Sequence, residues 1–227
     1  MSTAPPTLEL ERRLLGQAPL IFALDEVGRG ALAGPVAVGA SVIDASVAES
    51  AVPAGLKDSK LITEKRRPDV ASRAASWVTG SAVGWASPAE IDEVGIVRAL
   101  GFAALRAIER LAAAGFAPDN GIVLLDGNHD YITPTARASD EWASAARLDV
   151  RPVIKGDRTC ASISAASVVS KVARDEHMVA LHTDHPHYAW ERNKGYASAA
   201  HREAIAGHGL SDHHRRSWAI ADAPALF

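Results

Sequence analysis

The sequence predicts an α/β protein: a mixed β-sheet flanked by helices, followed by a small C-terminal helical extension. Short apolar runs typical of strands alternate with longer segments of helical pattern. The first two runs, residues 20–24 and 36–43, are separated by a glycine-rich turn and are expected to pair as a hairpin. A third run, 121–126, is apolar almost throughout, which is typical of a buried parallel strand.

The first half of the chain is punctuated by proline and by capping residues. Thr7 is a plausible N-cap, and Pro68 would break a helix that ran on from Thr63. The predicted order is a helix at 7–15, the two hairpin strands, a loop at 45–56, a turn at 63–67, a helix at 68–77 and a strand at 78–87.

The second half begins with a capping box, in which Ser87 precedes Pro88 and Glu90. A short helix to residue 93 and a long helix ending before Gly115 follow. We then predict a strand at 121–126, an irregular or weakly helical stretch at 131–146, a strand at 148–154, a long helix at 159–181, a loop at 188–196 and a helix at 197–206. Pro186 separates a core, 1–185, from the extension, 186–227, which we expect to pack on it.

Composition indicates a globular protein in a reducing compartment. The chain has 227 residues, of which 48% are apolar and 22% charged, so it can bury a substantial core. The single Cys160 excludes an internal disulfide, no apolar run approaches the ~20 residues that span a bilayer, and the first residues lack a signal-peptide pattern. We therefore expect a cytoplasmic monomer that makes no membrane contact.

Four acids are candidates for a metal site. Asp25 and Glu26 end the first strand, Asp126 ends the third apolar run, and Asp175 lies on the long helix. If the two strands are neighbours, all four can converge. Hard divalent cations bind carboxylate oxygens, and two such ions can promote phosphodiester hydrolysis. Net charge is −3, but basic residues cluster around 57–67, 147–158 and 192–216, where they could hold a polyanion. This arrangement indicates a nuclease.

Each of these features also has a simpler interpretation. Acids after strands often cap loops, the Gly28–Gly30 stretch could be an ordinary tight turn, and lysines are usually solvated. Cys160 is expected to be a small packed residue, because no partner for a nucleophile is indicated. Irregular spacing makes the histidines solvated polar residues rather than zinc ligands: His177, His182, His185, His187, His213 and His214.

Short motifs of distinctive composition follow one another between residues 20 and 218. They are Asp25-Glu26-Val27-Gly28-Arg29-Gly30, Gly34-Pro35-Val36, Asp58-Ser59-Lys60, Leu125-Asp126-Gly127, Lys155-Gly156-Asp157, Ser162-Ile163-Ser164-Ala165-Ala166-Ser167, Lys171-Val172-Ala173-Arg174-Asp175, Asn193-Lys194-Gly195-Tyr196 and His214-Arg215-Arg216-Ser217. In this order they resemble the motifs of bacterial ribonuclease HII.

The resemblance implies a ribonuclease H-like fold and an endonuclease that cuts RNA in RNA–DNA hybrids. It also implies incision on the 5′ side of single ribonucleotides in duplex DNA, leaving 3′-hydroxyl and 5′-phosphate ends. Mg²⁺ or Mn²⁺, two ions during catalysis, would be bound by the four acids. The 2′-hydroxyl would be sensed by Gly28, Arg29, Gly30 and Tyr196, and backbone phosphates would contact Lys60, Lys155 and Ser162.

Departures from the family pattern and three rival interpretations accompany this prediction. Ala197 stands where a glycine is common and could alter the presentation of Tyr196; further departures are Ala189-Trp190, Ser198 and Trp218. A ribonuclease HIII-like enzyme is disfavoured by the short N-terminus and by Asp175 in place of Glu. An inactive nucleic-acid-binding protein would gain nothing from clustered acids. The tail, 223–227, ends in Leu-Phe, as sliding-clamp-binding peptides do, but lacks the rest of their pattern.

Overall fold

A five-stranded sheet forms the centre of the molecule in the computed structural model, which describes residues 4–218. The strands are β1 (Leu20–Val27), β2 (Val36–Ile43), β3 (Gly80–Ala86), β4 (Gly121–Asp126) and β5 (Asp149–Val153). Their order is β3-β2-β1-β4-β5. β1 is antiparallel to β2 and parallel to β4, so it joins the antiparallel and parallel halves of the sheet.

Helices cover both faces of this sheet. The helix bounds are α1 (Glu9–Leu15), α2 (Ala45–Glu49), α3 (Arg67–Trp77), α4 (Pro88–Val94), α5 (Ile96–Ala113), α6 (Ile132–Arg137), α7 (Gly156–Thr159), α8 (Ala161–Asp184), α9 (Trp190–Asn193) and α10 (Ala199–His208). Apolar residues of α4, α5 and α6 pack on one face, and those of α1, α2, α3 and α8 pack on the other. Because β2 is buried along its whole length, both layers are needed to cover it. No helix in the described part of the chain has the length and apolar character that crossing a membrane requires.

The long helix α8 approaches β2 unusually closely at Gly39. A Cβ added there would lie less than 3.0 Å from the carbonyl oxygen of Ala166 and from Cβ of Ser170. The nearest of these atoms is helix backbone, which cannot rotate away. Gly39 therefore sets the distance between the sheet and the helix that carries Asp175.

The N-terminal segment is fastened to the start of α8. Thr7 N–H donates to the Thr159 carbonyl, and Ala161 N–H donates to the Thr7 carbonyl. Glu11 is 0% exposed and accepts hydrogen bonds from the Ser162 N–H at 3.0 Å and from its hydroxyl at 2.8 Å. A carboxylate thus satisfies donors at the N-terminus of the helix, where anions are favoured.

The C-terminal elements pack on the core around a small apolar cluster that includes Met178, Tyr188 and Trp190. Leu32 N–H donates to the Gly195 carbonyl at 2.8 Å, which connects the loop after α9 to the segment between β1 and β2. The division at residue 185 stays a prediction.

The predicted hairpin, the parallel neighbours β1 and β4, and the Ser87–Glu90 capping box are confirmed. The loop predicted at 45–56 is partly wrong, because α2 begins there, capped by Asp44 one residue before the predicted loop. Thr7 is not the N-cap of α1; Leu8 takes that position without a side-chain cap. The loop predicted at 188–196 contains α9, a helix too short to leave a periodic pattern.

Candidate active site

The carboxyl ends of β1 and β4 bring Asp25 next to Asp126. The register pairs Leu24 with Leu125 in parallel strands, so the following residues on the two strands are also neighbours. Adjacent strands lie about 4.8 Å apart. One cavity is lined by Asp25, Glu26 and Asp126 together with Lys60. The predicted convergence is therefore observed for three of the four acids.

The two consecutive acids of β1 point to opposite faces of the sheet, because side chains alternate along a strand. Asp25 shares the α8 face with Ala23, whereas Glu26 shares the α5 face with Leu24. Glu26 Oε1 accepts a hydrogen bond from Arg29 Nη1 at 3.0 Å. Asp25 and Glu26 therefore lie on opposite faces of the sheet at the end of β1.

Asp25 is buried at 5% exposure, in an environment that disfavours its charge. Burial raises the pKa of its carboxyl well above the usual range, and the negative charges of Asp126 and Asp157 add to this. A hydrogen bond from Ser167 and the charge of Lys60 act in the opposite direction. A bound cation would relieve the same penalty.

Asp157 is a member of this acidic group that the sequence did not select. Its backbone N–H donates to Asp126 Oδ1 at 3.1 Å, and its carboxylate lies 3.7 Å from Lys60 Nζ. Burial raises its pKa, and Asp126 and Asp58 raise it further. The signal for it in the sequence is the Lys155-Gly156-Asp157 motif, which ends in this acid.

Asp175 lies apart from the other three acids. Its carboxylate is 2.5 Å from Lys171 Nζ and 3.6 Å from an Arg67 guanidinium nitrogen, and it lines a different cavity between α3 and α8. In residues 4–218 no three His, Cys, Asp or Glu side chains are grouped closely enough to hold a metal ion. The predicted four-acid cluster is therefore not assembled in this conformation, in which Lys171 and Arg67 supply positive charge to Asp175.

Tyr131, another residue not selected from the sequence, lies against the acids. It is 3% exposed, and its hydroxyl lies within hydrogen-bonding reach of Glu26. Burial raises the pKa of this phenol well above its usual range, and the charges of Glu26 and Asp25 raise it further. The phenol therefore stays protonated and can donate a hydrogen bond beside the acids.

The residues present fit a hard divalent cation. The donors around the cavity are carboxylate oxygens, which Mg²⁺ and Mn²⁺ prefer, and Asp25 carries a charge that burial disfavours. Within the described range, sulfur is absent from this cavity lining, which does not favour zinc.

The Gly28–Gly30 turn lines a second cavity beside the acids, together with Lys60, Lys171 and Tyr196. Gly28 has φ +83°, a left-handed conformation that favours glycine. The carbonyls of Gly28 and Arg29 both accept hydrogen bonds from Arg215, at 2.6 and 2.8 Å. The predicted sensor residues are therefore brought together.

Tyr196 is positioned by a fully buried arginine. The Arg174 guanidinium lies 5.4 Å from the Tyr196 ring centroid and donates to the carbonyls of Pro35, Ala33 and Lys194. These bonds connect α8, the segment after the turn and the loop that carries Tyr196. Arg174 belongs to the helix motif that ends in Asp175, but the sequence alone does not predict this positioning role.

Two of the predicted phosphate contacts have different outcomes. Lys155 is exposed at the start of α7 with φ +57°, accessible to a polyanion. The prediction for Ser162 is wrong: the residue is 0% exposed, and its N–H and hydroxyl both bond to Glu11. An internal carboxylate occupies the place that the sequence suggested for a phosphate.

Cys160 is packed, as predicted; burial raises its pKa to about 11, which disfavours the reactive thiolate.

For His214 the predicted exposure to solvent is wrong, because the residue is 1% exposed. Ser211 N–H donates to its Nδ1, so its proton is on Nε2 and faces Nε2 of His201 at 3.1 Å. His201 in turn donates from Nδ1 to the Tyr196 carbonyl. Both rings are neutral in this chain of bonds.

The His214–His201 pair makes stability fall in mild acid. Burial, and after it the neighbouring His201, lower the pKa of His214 to about 4. Because the unfolded chain binds the proton near pH 6.5, the stabilisation is complete above that pH and is lost as pH falls toward 4. We expect the free energy of unfolding, measured with urea, to fall by roughly 3 kcal/mol over this pH range. His214→Asn should reduce the change of the free energy of unfolding with pH. His208→Gln, at an exposed position, is the control and should leave that pH dependence unchanged. An unchanged pH dependence in His214→Asn would show that His214 is not its source.

Fold and site together define a class. A mixed sheet with acids at the carboxyl ends of adjacent strands, and with Lys60, Lys171 and a glycine-rich turn beside them, defines a phosphodiester-cleaving nuclease. The family model described as Ribonuclease HII matches residues 23–221. The chain belongs to the ribonuclease HII family, whose enzymes are metal-dependent endoribonucleases that act on RNA–DNA hybrids.

Curated relatives named ribonuclease HII align over most of the chain. The protein from Streptomyces avermitilis is 44% identical over 225 residues, which cover 98% of this chain and 88% of that protein. The protein from Nitrosomonas europaea is 40% identical over 215 residues, which cover 93% of this chain and 88% of that protein.

Solved structures share the fold. The ribonuclease H2 from Pyrococcus horikoshii OT3 has a TM-score of 0.62 at 24% identity and covers 89% of this chain and 95% of its own. The PCNA:RNase HII complex from Archaeoglobus fulgidus gives 0.66 at 25% identity, covering 88% and 95%. Bst-RNase HIII in complex with Mn²⁺ gives 0.69 at 20% identity, covering 91% and 70%. The predicted ribonuclease H-like fold is confirmed.

Proposed function

We propose that this protein incises duplex DNA on the 5′ side of a single embedded ribonucleotide, in addition to cutting RNA in hybrids, and leaves 3′-hydroxyl and 5′-phosphate ends. The main support is the placement of the Gly28–Gly30 turn and Tyr196 in a cavity directly beside the strand-end acids. A group that distinguishes RNA from DNA must contact the 2′-hydroxyl within reach of the cut. Backbone N–H groups of a glycine-rich turn can approach it closely.

In this proposal the acids that lie together at the strand ends would hold Mg²⁺ or Mn²⁺: Asp25, Glu26, Asp126 and Asp157. When bound, such ions supply an activated water and stabilise the leaving oxygen of the phosphodiester. Asp157 takes the place predicted for Asp175, which pairs with Lys171 and Arg67 in a different cavity.

The remaining residues orient the duplex. Lys60, with a side chain 73% exposed, is available to contact a backbone phosphate at the edge of the acidic cavity. Lys155 offers a second exposed ammonium, two residues before Asp157, whose N–H donates to Asp126. Phosphate contacts position a duplex without reading its sequence, so the choice of cutting site falls to the turn and Tyr196.

The proposal is tested by a nicking assay on a DNA duplex that carries one ribonucleotide. With Mg²⁺ or Mn²⁺ we expect one cut, on the 5′ side of the ribonucleotide, and EDTA should stop it. An all-DNA duplex of the same sequence is the control. Cleavage of the hybrid without cleavage of the embedded ribonucleotide would refute the proposed substrate, and cleavage in EDTA would refute the metal requirement.

Cellular setting and partners are also proposed. The buried thiol of Cys160 suits the reducing cytoplasm, and we infer a monomer in which 186–227 is an extension of the catalytic core. The tail at 223–227 lies outside the described residues. The archaeal structure of a PCNA:RNase HII complex supports a weak sliding-clamp contact through that tail.

A further inference from the structure

We propose that Arg215 is a positioning residue for substrate selection: it fixes the two peptide groups of the Gly28–Gly30 turn so that their N–H groups face the nucleic acid. This inference depends on the proposed role of the turn as reader of the 2′-hydroxyl. Arg215 lies at the other end of the chain from the turn, within a C-terminal motif that the proposed mechanism leaves without a role.

The contacts converge on one guanidinium. Arg215 Nη2 donates to the Gly28 carbonyl at 2.6 Å and Nη1 donates to the Arg29 carbonyl at 2.8 Å. Nε and Nη2 also reach the Gly34 carbonyl, at 3.2 and 3.1 Å. The backbone N–H of Arg215 donates to the Leu32 carbonyl at 3.0 Å. The arginine therefore spans both ends of the segment between β1 and β2.

Because of the geometry of the peptide bond, these hydrogen bonds determine which way the N–H groups of the turn point. In a planar trans peptide the C=O and the next residue's N–H point to opposite sides; no cis peptide bond occurs in the described residues. Carbonyls of Gly28 and Arg29 that face Arg215 therefore direct the N–H groups of Arg29 and Gly30 away from it. Arg29 and Gly30 are exposed and line the cavity shared with Tyr196.

The chemistry of the site requires arginine. Arg215 is 0% exposed, and among residues 4–218 no carboxylate forms a salt bridge with it. Burial lowers its pKa to about 9, and the charge of Arg174 adds to this effect. A planar fork of donors can serve three carbonyls at once, whereas a lysine ammonium cannot match that geometry. Burying a cation that no carboxylate neutralises costs free energy, so the contact that holds the turn forms at the cost of desolvating the guanidinium.

Arg215→Lys tests the proposal, with Arg216→Lys as the matched control. Arg216 is the next residue; its side chain is 59% exposed and pairs with Asp212 rather than with the turn. Two constants are measured with Mg²⁺ present: KM for a duplex with one ribonucleotide, and KI of the all-DNA duplex of the same sequence as a competitor. Their ratio reports recognition of a single 2′-hydroxyl.

We expect wild type and Arg216→Lys to give the same KI/KM ratio. Arg215→Lys should lower this ratio about tenfold by raising KM, with KI unchanged, the size expected for losing one or two hydrogen bonds. A purely structural role would reduce the active fraction and leave both constants unaltered. If wild type itself shows equal KI and KM, the proposed reading of the 2′-hydroxyl fails; if wild type discriminates and Arg215→Lys does so equally, the positioning role of Arg215 is overturned.

Amide hydrogen exchange in the wild-type protein provides a second test that needs no variant. The ribonucleotide duplex should slow exchange in the peptide that contains Arg29 and Gly30 more than the all-DNA duplex does. Equal protection by the two duplexes would overturn the outward orientation of these N–H groups, even if Arg215→Lys fails to fold.

Discussion

Asp25→Asn removes the cleavage activity and leaves the fold intact. The amide has the shape of the carboxylate but no charge, so it cannot replace an anionic ligand of a divalent cation. We expect kcat to fall by at least about a thousandfold, on the scale of losing a preorganised electrostatic contact. Cleavage of the single-ribonucleotide duplex is the measurement, together with a Mn²⁺ titration, in which binding should weaken.

Stability in the absence of metal should change in the opposite direction. The raised pKa of Asp25, caused by burial and then by its acidic neighbours, means that its charge destabilises the folded protein at neutral pH. Asparagine removes that penalty, so the free energy of unfolding should be equal or higher. Asp212→Asn, at a side chain 99% exposed, is the control and should keep full activity. An Asp25→Asn variant that cuts normally would rule out the metal role.

Gly39→Ala should lower both stability and activity. The new methyl group would meet the backbone of α8 at Ala166, which can make room only if the helix shifts. We expect a loss of about 3 kcal/mol, the upper end for overpacking against a rigid neighbour. The same helix carries Ser167, which hydrogen-bonds to Asp25, so a shift of about 1 Å should lower kcat about a hundredfold. Urea unfolding and the nicking assay measure the two effects.

The matched control is Gly207→Ala, on α10. No atom lies within 4 Å of a Cβ at that position, and helix propensity favours alanine there by about 0.5–1 kcal/mol. It should therefore stabilise the protein slightly and leave cleavage unaltered. If Gly39→Ala behaves like Gly207→Ala, the close approach of β2 and α8 does not set the geometry of the acids.

The parts of the site that could be predicted from the sequence are those encoded by strand patterns. The apolar runs that form β1 and β4 end in Asp25 and Asp126. These acids meet if the two strands are parallel neighbours, and the structure shows that the strands are. Asp175 was predicted from a helix motif, but its position depends on Lys171 and Arg67, and pairing among charged side chains leaves no periodic signal.

The residues missed were those defined by tertiary contacts. Arg174 and Arg215 resemble surface arginines in the sequence, yet both are 0% exposed because backbone carbonyls from distant segments surround them. The family resemblance implied a phosphate contact at Ser162, but Glu11 from α1 occupies its hydrogen-bond donors. Contacts between residues so far apart in the chain follow from packing and cannot be derived from local propensity.

The bond between Arg215 and the turn has a consequence for biosynthesis. The two partners are 186 and 187 positions apart, so the turn is made long before the arginine that holds it. At translation rates of about 5–20 residues per second, the interval is roughly 10–40 s. Once residue 175 has been added, late in that interval, the nascent chain contains all of the acids but still lacks the contact that orients Arg29 and Gly30. The contact needed to choose a cutting site therefore forms only after the acids that cut have been made.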